Sequence, residues 1–200
     1  MKQTSLKTFS YALLLGSAVL LTGCQTQSNN VLTFTPPAPT AQFNTANQRV
    51  VVNVVSQDQR NTATIASYTE RGSMKHLTSS PEVSQLFQQV IQQGLNSKGF
   101  RIASGVNSNS NIVVRITDFN AQVTEGNLKY KIDSKVNIVV EVQGSKGTFS
   151  KSFGATNSQE GVFGVNNEGI QKIINKSFQD VVTKFYNDNE ISNALLGLSN

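Results

Sequence analysis

Apolar residues recur along this chain with two different periods, and the two periods divide it into strands and helices. The β-branched run "RVVVNVV" from Arg49 predicts a buried strand. "TATIASYTE", where Ile65 alternates with small and polar residues, predicts a second, weaker strand. In "SSPEVSQLFQQVIQQGLNSKGF", Val83, Leu86, Phe87, Val90, Ile91 and Leu95 fall on one stripe of a 3.6-residue period. Ser80 as N-cap, Pro81 at the first helical position and Glu82 at the positive dipole end fit its start, and Lys98–Gly99 fits its stop. Gly94 inside this helix suggests close packing, since it costs about 1 kcal/mol relative to alanine.

Beyond the short strand "FRIA" and the loop "SGVNSNSN", "NIVVRITDFNAQV" predicts a long strand. Its apolar set changes parity from Ile112, Val114 and Ile116 to Phe119, Ala121 and Val123, which predicts a bulge near Thr117–Asp118. "TEGN" reads as a hairpin turn, with Gly126 and Asn127 suited to positive φ. Tyr130, Ile132, Val136, Ile138, Val140 and Val142 then alternate with polar residues, Ser134 and Val139 excepted, so one face of this strand is buried and one is wet. "KGTFSKSFGAT" returns as a strand. Ile170, Ile173, Ile174, Phe178, Val181, Val182 and Phe185 form a second helical stripe, and "ISNALLGL" suggests a last short helix. The order β, β, α, β, β, β, β, α gives an α+β fold: a two-layer sandwich, with two amphipathic helices packed on one face of a mostly antiparallel sheet.

The N-terminal region has a different character. Lys2 and Lys7 precede an apolar run from Phe9 to Leu21, the length of a signal h-region and short of the roughly 20 residues of a membrane span. Leu21-Thr22-Gly23-Cys24 resembles the lipobox of bacterial lipoproteins. The resemblance implies removal of residues 1–23 by cleavage between Gly23 and Cys24, a diacylglycerol on the Cys24 sulfur and an acyl chain, typically palmitate, on the new amino group. One chain binds a bilayer only marginally at about 0.8 kcal/mol per buried CH₂, so stable anchoring takes two or more. Gln25, in place of the aspartate that favours inner-membrane retention in such proteins, implies the inner leaflet of the outer membrane. Residues 24–48 read as the lipidated N-terminus and a tether, in which Pro36, Pro37 and Pro39 block helix. Fully extended at about 3.1 Å per residue such a tether reaches roughly 70 Å, and less if "VLTFT" pairs along a sheet edge. Residues 49–200 are then a single periplasmic domain.

Composition narrows the partners. The formal charge of +5 includes Lys2 and Lys7, so the processed chain carries about +3, too mild to imply nucleic acid. Cys24 is the only cysteine, so once it is acylated no disulfide forms despite an oxidising compartment. The expected partners are the membrane, through the anchor, and another envelope protein or a cell-wall or lipopolysaccharide component.

"ITDFNAQVTEGNLKYKIDSKVNI", "QEGVF" with the helix after it, and "SSPEVSQLFQQVIQQGLNSKGF" resemble the YajG family of bacterial lipoproteins. The similarity runs through roughly residues 49–187. The family brings no assigned catalytic or ligand residue, so the resemblance implies an envelope lipoprotein and carries across only the modified Cys24.

Candidate chemistry is sparse. His76, the only histidine, lies in the polar stretch "RGSMKHLTSS", which reads as loop; a Ser–His arrangement would have to use it. Asp118, Glu125, Asp133 and Glu141 offer carboxylates for acid–base work, but Asp133 and Glu141 lie about 26 Å apart along one strand, and solvated charge is the competing reading. Lys129, Lys131 and Lys135 share one strand face and could meet headgroups, lipopolysaccharide phosphates or acidic polymer, or serve as solubilising edge charge. Val162, Phe163 and Val165 sit among glycines as a candidate contact loop. No catalytic, cofactor or metal site is expected. The sequence supports a lipid-anchored binding or interaction module that is not an enzyme, with a carboxylate-dependent enzyme on envelope polymers, or a carrier of a small apolar ligand, as alternatives.

Overall fold

The computed structural model describes residues 30–103, 105–162 and 164–199. Eight strands form one mixed sheet: β1 (Val31–Leu32), β2 (Val51–Asp58), β3 (Ala66–Glu70), β4 (Ser73–Ser79), β5 (Arg101–Ile102), β6 (Ser110–Glu125), β7 (Lys129–Gly144) and β8 (Gly147–Val162). Three helices accompany it: α1 (Val83–Ser97), α2 (Asn167–Tyr186) and α3 (Glu190–Leu198). β6, β7 and β8 form an antiparallel meander of strands each 16 residues long, with β8 at the edge. Along the other side of β6, β2 pairs in parallel with the first half and β3 in parallel with the second.

The bulge is where the parity shift places it. The β6–β7 register slips between Ile116 and Asp118, which keeps both Ile116 and Phe119 fully buried. The slip is also where β2 ends and β3 takes over as neighbour. Ser134 and Val139 break the alternation as expected: Ser134 is buried and Val139 lies on the open face.

All three helices lie against the sheet. α1 packs on β2, β5 and β6, α2 on β6, β7 and β8, and α3 on β7 and β8. Their apolar stripes supply the buried positions that the 3.6-residue period selects. Gly94 explains itself at the α1–α2 contact, where a Cβ would stand 2.7 Å from the Tyr186 ring. Gly99, at φ +97, ends α1 where a Cβ would meet the Asn44 carbonyl oxygen at 2.3 Å.

Four expectations are corrected. First, residues 30–48 are laid on the body rather than free as a tether. β1 pairs in parallel with β4, Leu32 and Phe34 are buried, and a 3₁₀ turn at Thr45–Arg49 is fixed by the Asn47 side chain donating to the Lys98 carbonyl at 2.7 Å. The edge pairing of "VLTFT" is the alternative that holds, because Phe34 has an aromatic pocket to fill. Second, "RGSMKHLTSS" is mostly strand. β3 and β4 form a hairpin across the two-residue turn Arg71–Gly72, both at positive φ, the geometry that matches strand twist. Third, Ser80 does not cap α1. Its N–H donates to the Leu32 carbonyl, so the chain is still in the sheet ladder there, and the N-cap falls on Glu82. Fourth, Gly126 and Asn127 are not at positive φ; the turn closes by the Gly126 N–H donating to the Lys129 carbonyl at 2.8 Å.

The centre of the core is a cluster of four phenylalanines. Phe119 of β6 lies 5.0 Å from Phe34 and 6.0 Å from each of Phe87 and Phe178, all edge-to-face. Such contacts add about 0.5–1.5 kcal/mol each beyond the burial of the rings. Replacement of Phe34 by alanine should therefore cost about 3–5 kcal/mol, read as a lowered denaturant midpoint at unchanged slope; a free N-terminal segment would make the substitution silent.

Candidate functional site

The sheet has one face under the helices and one that no other described element covers. Its open face is organised by side chains paired across and along strands. On β6 and β7, Arg115 bonds Glu141 at 2.6 Å, and Gln143 donates to the other Glu141 oxygen at 2.6 Å. Further along, Lys135 pairs with Asp118 at 3.1 Å, and Lys131 with Asp133 at 2.7 Å. The Ser158 hydroxyl of β8 also donates to Asp133. The Arg115 hydrogen bond, with that of Gln143 behind it, holds the Glu141 carboxyl below its ordinary range, and Lys131 and Ser158 do the same for Asp133.

This pairing decides what the candidate residues can do. Of the three lysines, Lys131 and Lys135 are neutralised by acids on the same face, while Lys129 is exposed at the β6–β7 turn. Of the four candidate acids, Asp118, Asp133 and Glu141 each hold a cation, and Glu125 is exposed beside the turn. His76 lies on β4, not in a loop, opposite Ser67, whose hydroxyl is 2.8 Å from its Nδ1. This is a cross-strand polar pair on an exposed hairpin face, and among the described residues no carboxylate bonds the other ring nitrogen. Val162 ends β8 and is half exposed, whereas Val165 is buried. Phe163 and Cys24 lie outside the described residues. Among the described residues no three His, Cys, Asp or Glu side chains gather as a metal site, and no helix is long and apolar enough to cross a membrane.

Sequence reasoning missed the edge of β8. There α2 and β8 border a shallow cleft of about 590 Å³, with Lys135 and Asn137 of β7 on its other side. Lys184 of α2 donates to the Gly154 carbonyl at 2.6 Å, and Asn157 bonds Asp180 at 2.9 Å. The cleft is built on an edge carbonyl capped by a lysine, a device that discourages strand addition. The signal available in the sequence was Gly154 in the middle of a strand; its partner on α2 depends on how the helix docks.

A second polar cluster joins α2 to α3. Lys151 of β8 bonds both Asp188 and Glu190, the Lys98 ammonium donates to the Asp188 carbonyl, and the Ile191 N–H donates to Asp188 Oδ1 at 3.0 Å. Burial pushes the Asp188 carboxyl up, but the Lys151 and Ile191 hydrogen bonds outweigh it and leave it below its ordinary value of 3.8. Burial lowers Lys98, with the Asp188 charge opposing. Beside this cluster the Tyr186 hydroxyl is buried without a hydrogen-bond partner among the described residues, and burial pushes it up to about 12.

The chain belongs to the "Uncharacterized lipoprotein" family, whose model matches residues 36–196. Lipoproteins of this family are components of the cell envelope. Among curated relatives, the uncharacterized lipoprotein YajG of Escherichia coli strain K12 is 25% identical over 152 residues, covering 76% of this chain and 78% of the relative. YajG of Escherichia coli O6:H1 matches with the same figures. Among solved structures, a protein of Xanthomonas campestris superposes at TM-score 0.54 with 11% identity, covering 78% of this chain and 91% of that one; this shows a shared fold.

The Asp188 cluster sets a pH dependence. A carboxyl whose pKa is lower in the folded chain contributes stability that is present above its unfolded value and lost as pH falls through the folded one. Stability should therefore fall below about pH 4, and Asp188→Asn should flatten that acid limb, measured as Tm against pH, while also lowering Tm at neutral pH.

Proposed function

We propose that this chain is a lipid-anchored envelope module that contacts another envelope component through its open sheet face, and that it is not an enzyme. The observation that carries the reading is the contrast between the two sheet faces. One is filled by three helices, and the other is a large, ordered polar surface with no described element over it. Surfaces that bind a partner by complementarity need side chains held in place, and the cross-strand pairs of β6, β7 and β8 supply that. The lipobox-like Leu21-Thr22-Gly23-Cys24 supports diacylglycerol and N-acyl attachment at Cys24, and Gln25 supports the outer membrane, facing the periplasm.

The other readings have less support. Two carboxylates flanking a bond would stand about 5–9.5 Å apart in a cleft, whereas Asp118, Asp133 and Glu141 are each engaged by a cation on an open surface. A small apolar ligand would need the space between sheet and helices, which Phe34, Phe87, Phe119 and Phe178 occupy.

Mass analysis of the protein purified from its host should give an N-terminal Cys24 carrying three acyl chains, in the outer-membrane fraction, and Cys24→Ala should abolish incorporation of labelled palmitate. A bare thiol removes the anchor from this reading. Photo-crosslinkers placed at Asn111, Val139 or Ser150 of the open face should capture a discrete partner in intact cells, and capture of none at every position would sink the binding role.

A further inference from the structure

The register of the strands gathers three exposed apolar side chains at one end of the sheet. The β6–β7 turn lies there, with Glu125 opposite Tyr130. β3 runs parallel to β6, with Ser67 beside Gln122, so the Arg71–Gly72 turn comes level with that same end. β8 also finishes there, with Val162 opposite Lys129. Leu128 is 80% exposed, Met74 60% and Val162 52%, on three separate chain segments that share no sequence neighbourhood. Between them stand the exposed cations Arg71 and Lys129, with Lys75 paired to Glu70 at 3.8 Å and Glu125 exposed nearby. Apolar tips interspersed with cations are the chemistry of a bilayer interface rather than of bulk water.

The N-terminal segment points to the same end. β1 runs parallel to β4, with Val31 beside Thr78, and the Thr78 N–H donates to the Asn30 carbonyl. β4 starts at the Arg71–Gly72 turn and runs away from it, so Asn30 is the end of β1 that faces the turn. From Leu77 to the turn-proximal Ser73 is about 13 Å along the strand. From Asn30 back to Cys24 is six residue steps, which span at most about 20 Å. The opposite end of the sheet, at the β7–β8 turn, lies ten residues along β7 from Ser134, about 33 Å away and beyond that leash. Because residues 30–35 are fixed to the body, the anchor selects which end of the domain meets the bilayer.

We infer that this sheet end, with Met74, Leu128 and Val162 at its tips and Arg71 and Lys129 among them, rests on the bilayer surface, its apolar side chains at the headgroup–acyl boundary and its cations on lipid phosphates. The inference rests on acylation of Cys24. It orients the domain: the strands stand on the membrane, and the open sheet face is directed sideways into the periplasm.

The chain contains no tryptophan, so a single introduced one is a unique probe. Lipidated full-length protein carrying Leu128→Trp, Met74→Trp or, at the far end, Lys146→Trp would be purified and reconstituted into vesicles of phosphatidylethanolamine and phosphatidylglycerol with brominated acyl chains. The expected result is fluorescence quenched several-fold more at positions 128 and 74 than at 146, with Tm unchanged in all three. Equal quenching at the three positions, in protein whose mass shows intact acyl chains, overturns the orientation and leaves the anchor standing. Protection of position 128 from an aqueous quencher without lipid quenching identifies a protein contact instead and also overturns it. A mass showing an unmodified Cys24 overturns the anchor itself, and the orientation with it.

Discussion

The meeting of four phenylalanine rings around Phe119 holds this fold together. Phe119 comes from the bulged centre of β6, Phe87 from α1, Phe178 from α2 and Phe34 from the segment that leads in from the N-terminus. Each ring belongs to a different part of the chain, so burying them fixes both long helices and the incoming strand in one step. The bulge makes this possible. Without the slip between Ile116 and Asp118, Phe119 would share the parity of Thr117 and face solvent.

The same anchoring of Phe34 has a consequence for location. A segment rich in Thr, Asn, Gln and Pro has the composition of a spacer, yet Leu32 and Phe34 bury and β1 completes the ladder beside β4. On the proposed acylation of Cys24, only six residue steps separate the anchor from the first residue laid on the folded body, Asn30. A long tether would let the domain sample any orientation; a short one, entering at a defined place on the sheet, restricts it. Under the proposed orientation, the polar open face has a defined direction relative to the bilayer.

The open face itself is held by short-range electrostatics. Its ion pairs are exposed to solvent and each contributes little to stability. Their effect is to fix side-chain positions and to cancel the charge of the lysine row. A cationic stripe that the sequence suggests at Lys131 and Lys135 is, on the surface, a set of neutral pairs with Asp133 and Asp118.

Hydrophobic periodicity determined the α+β class, the helix stripes of α1 and α2, the buried set of β7 and the bulge in β6, because each of these is a local match between residue spacing and backbone repeat. The family resemblance was equally legible, being carried by contiguous strings. What only the tertiary structure decided were the partners at a distance. β4 reads as loop in the sequence because its polar residues are exposed and its ladder partners lie in β3 and β1, so no period betrays it. The body contact of residues 30–35, the capping of Gly154 by Lys184 and the convergence of Met74, Leu128 and Val162 all depend on register between strands far apart in sequence. Register is set by the packing of the whole sheet, and no single segment carries it.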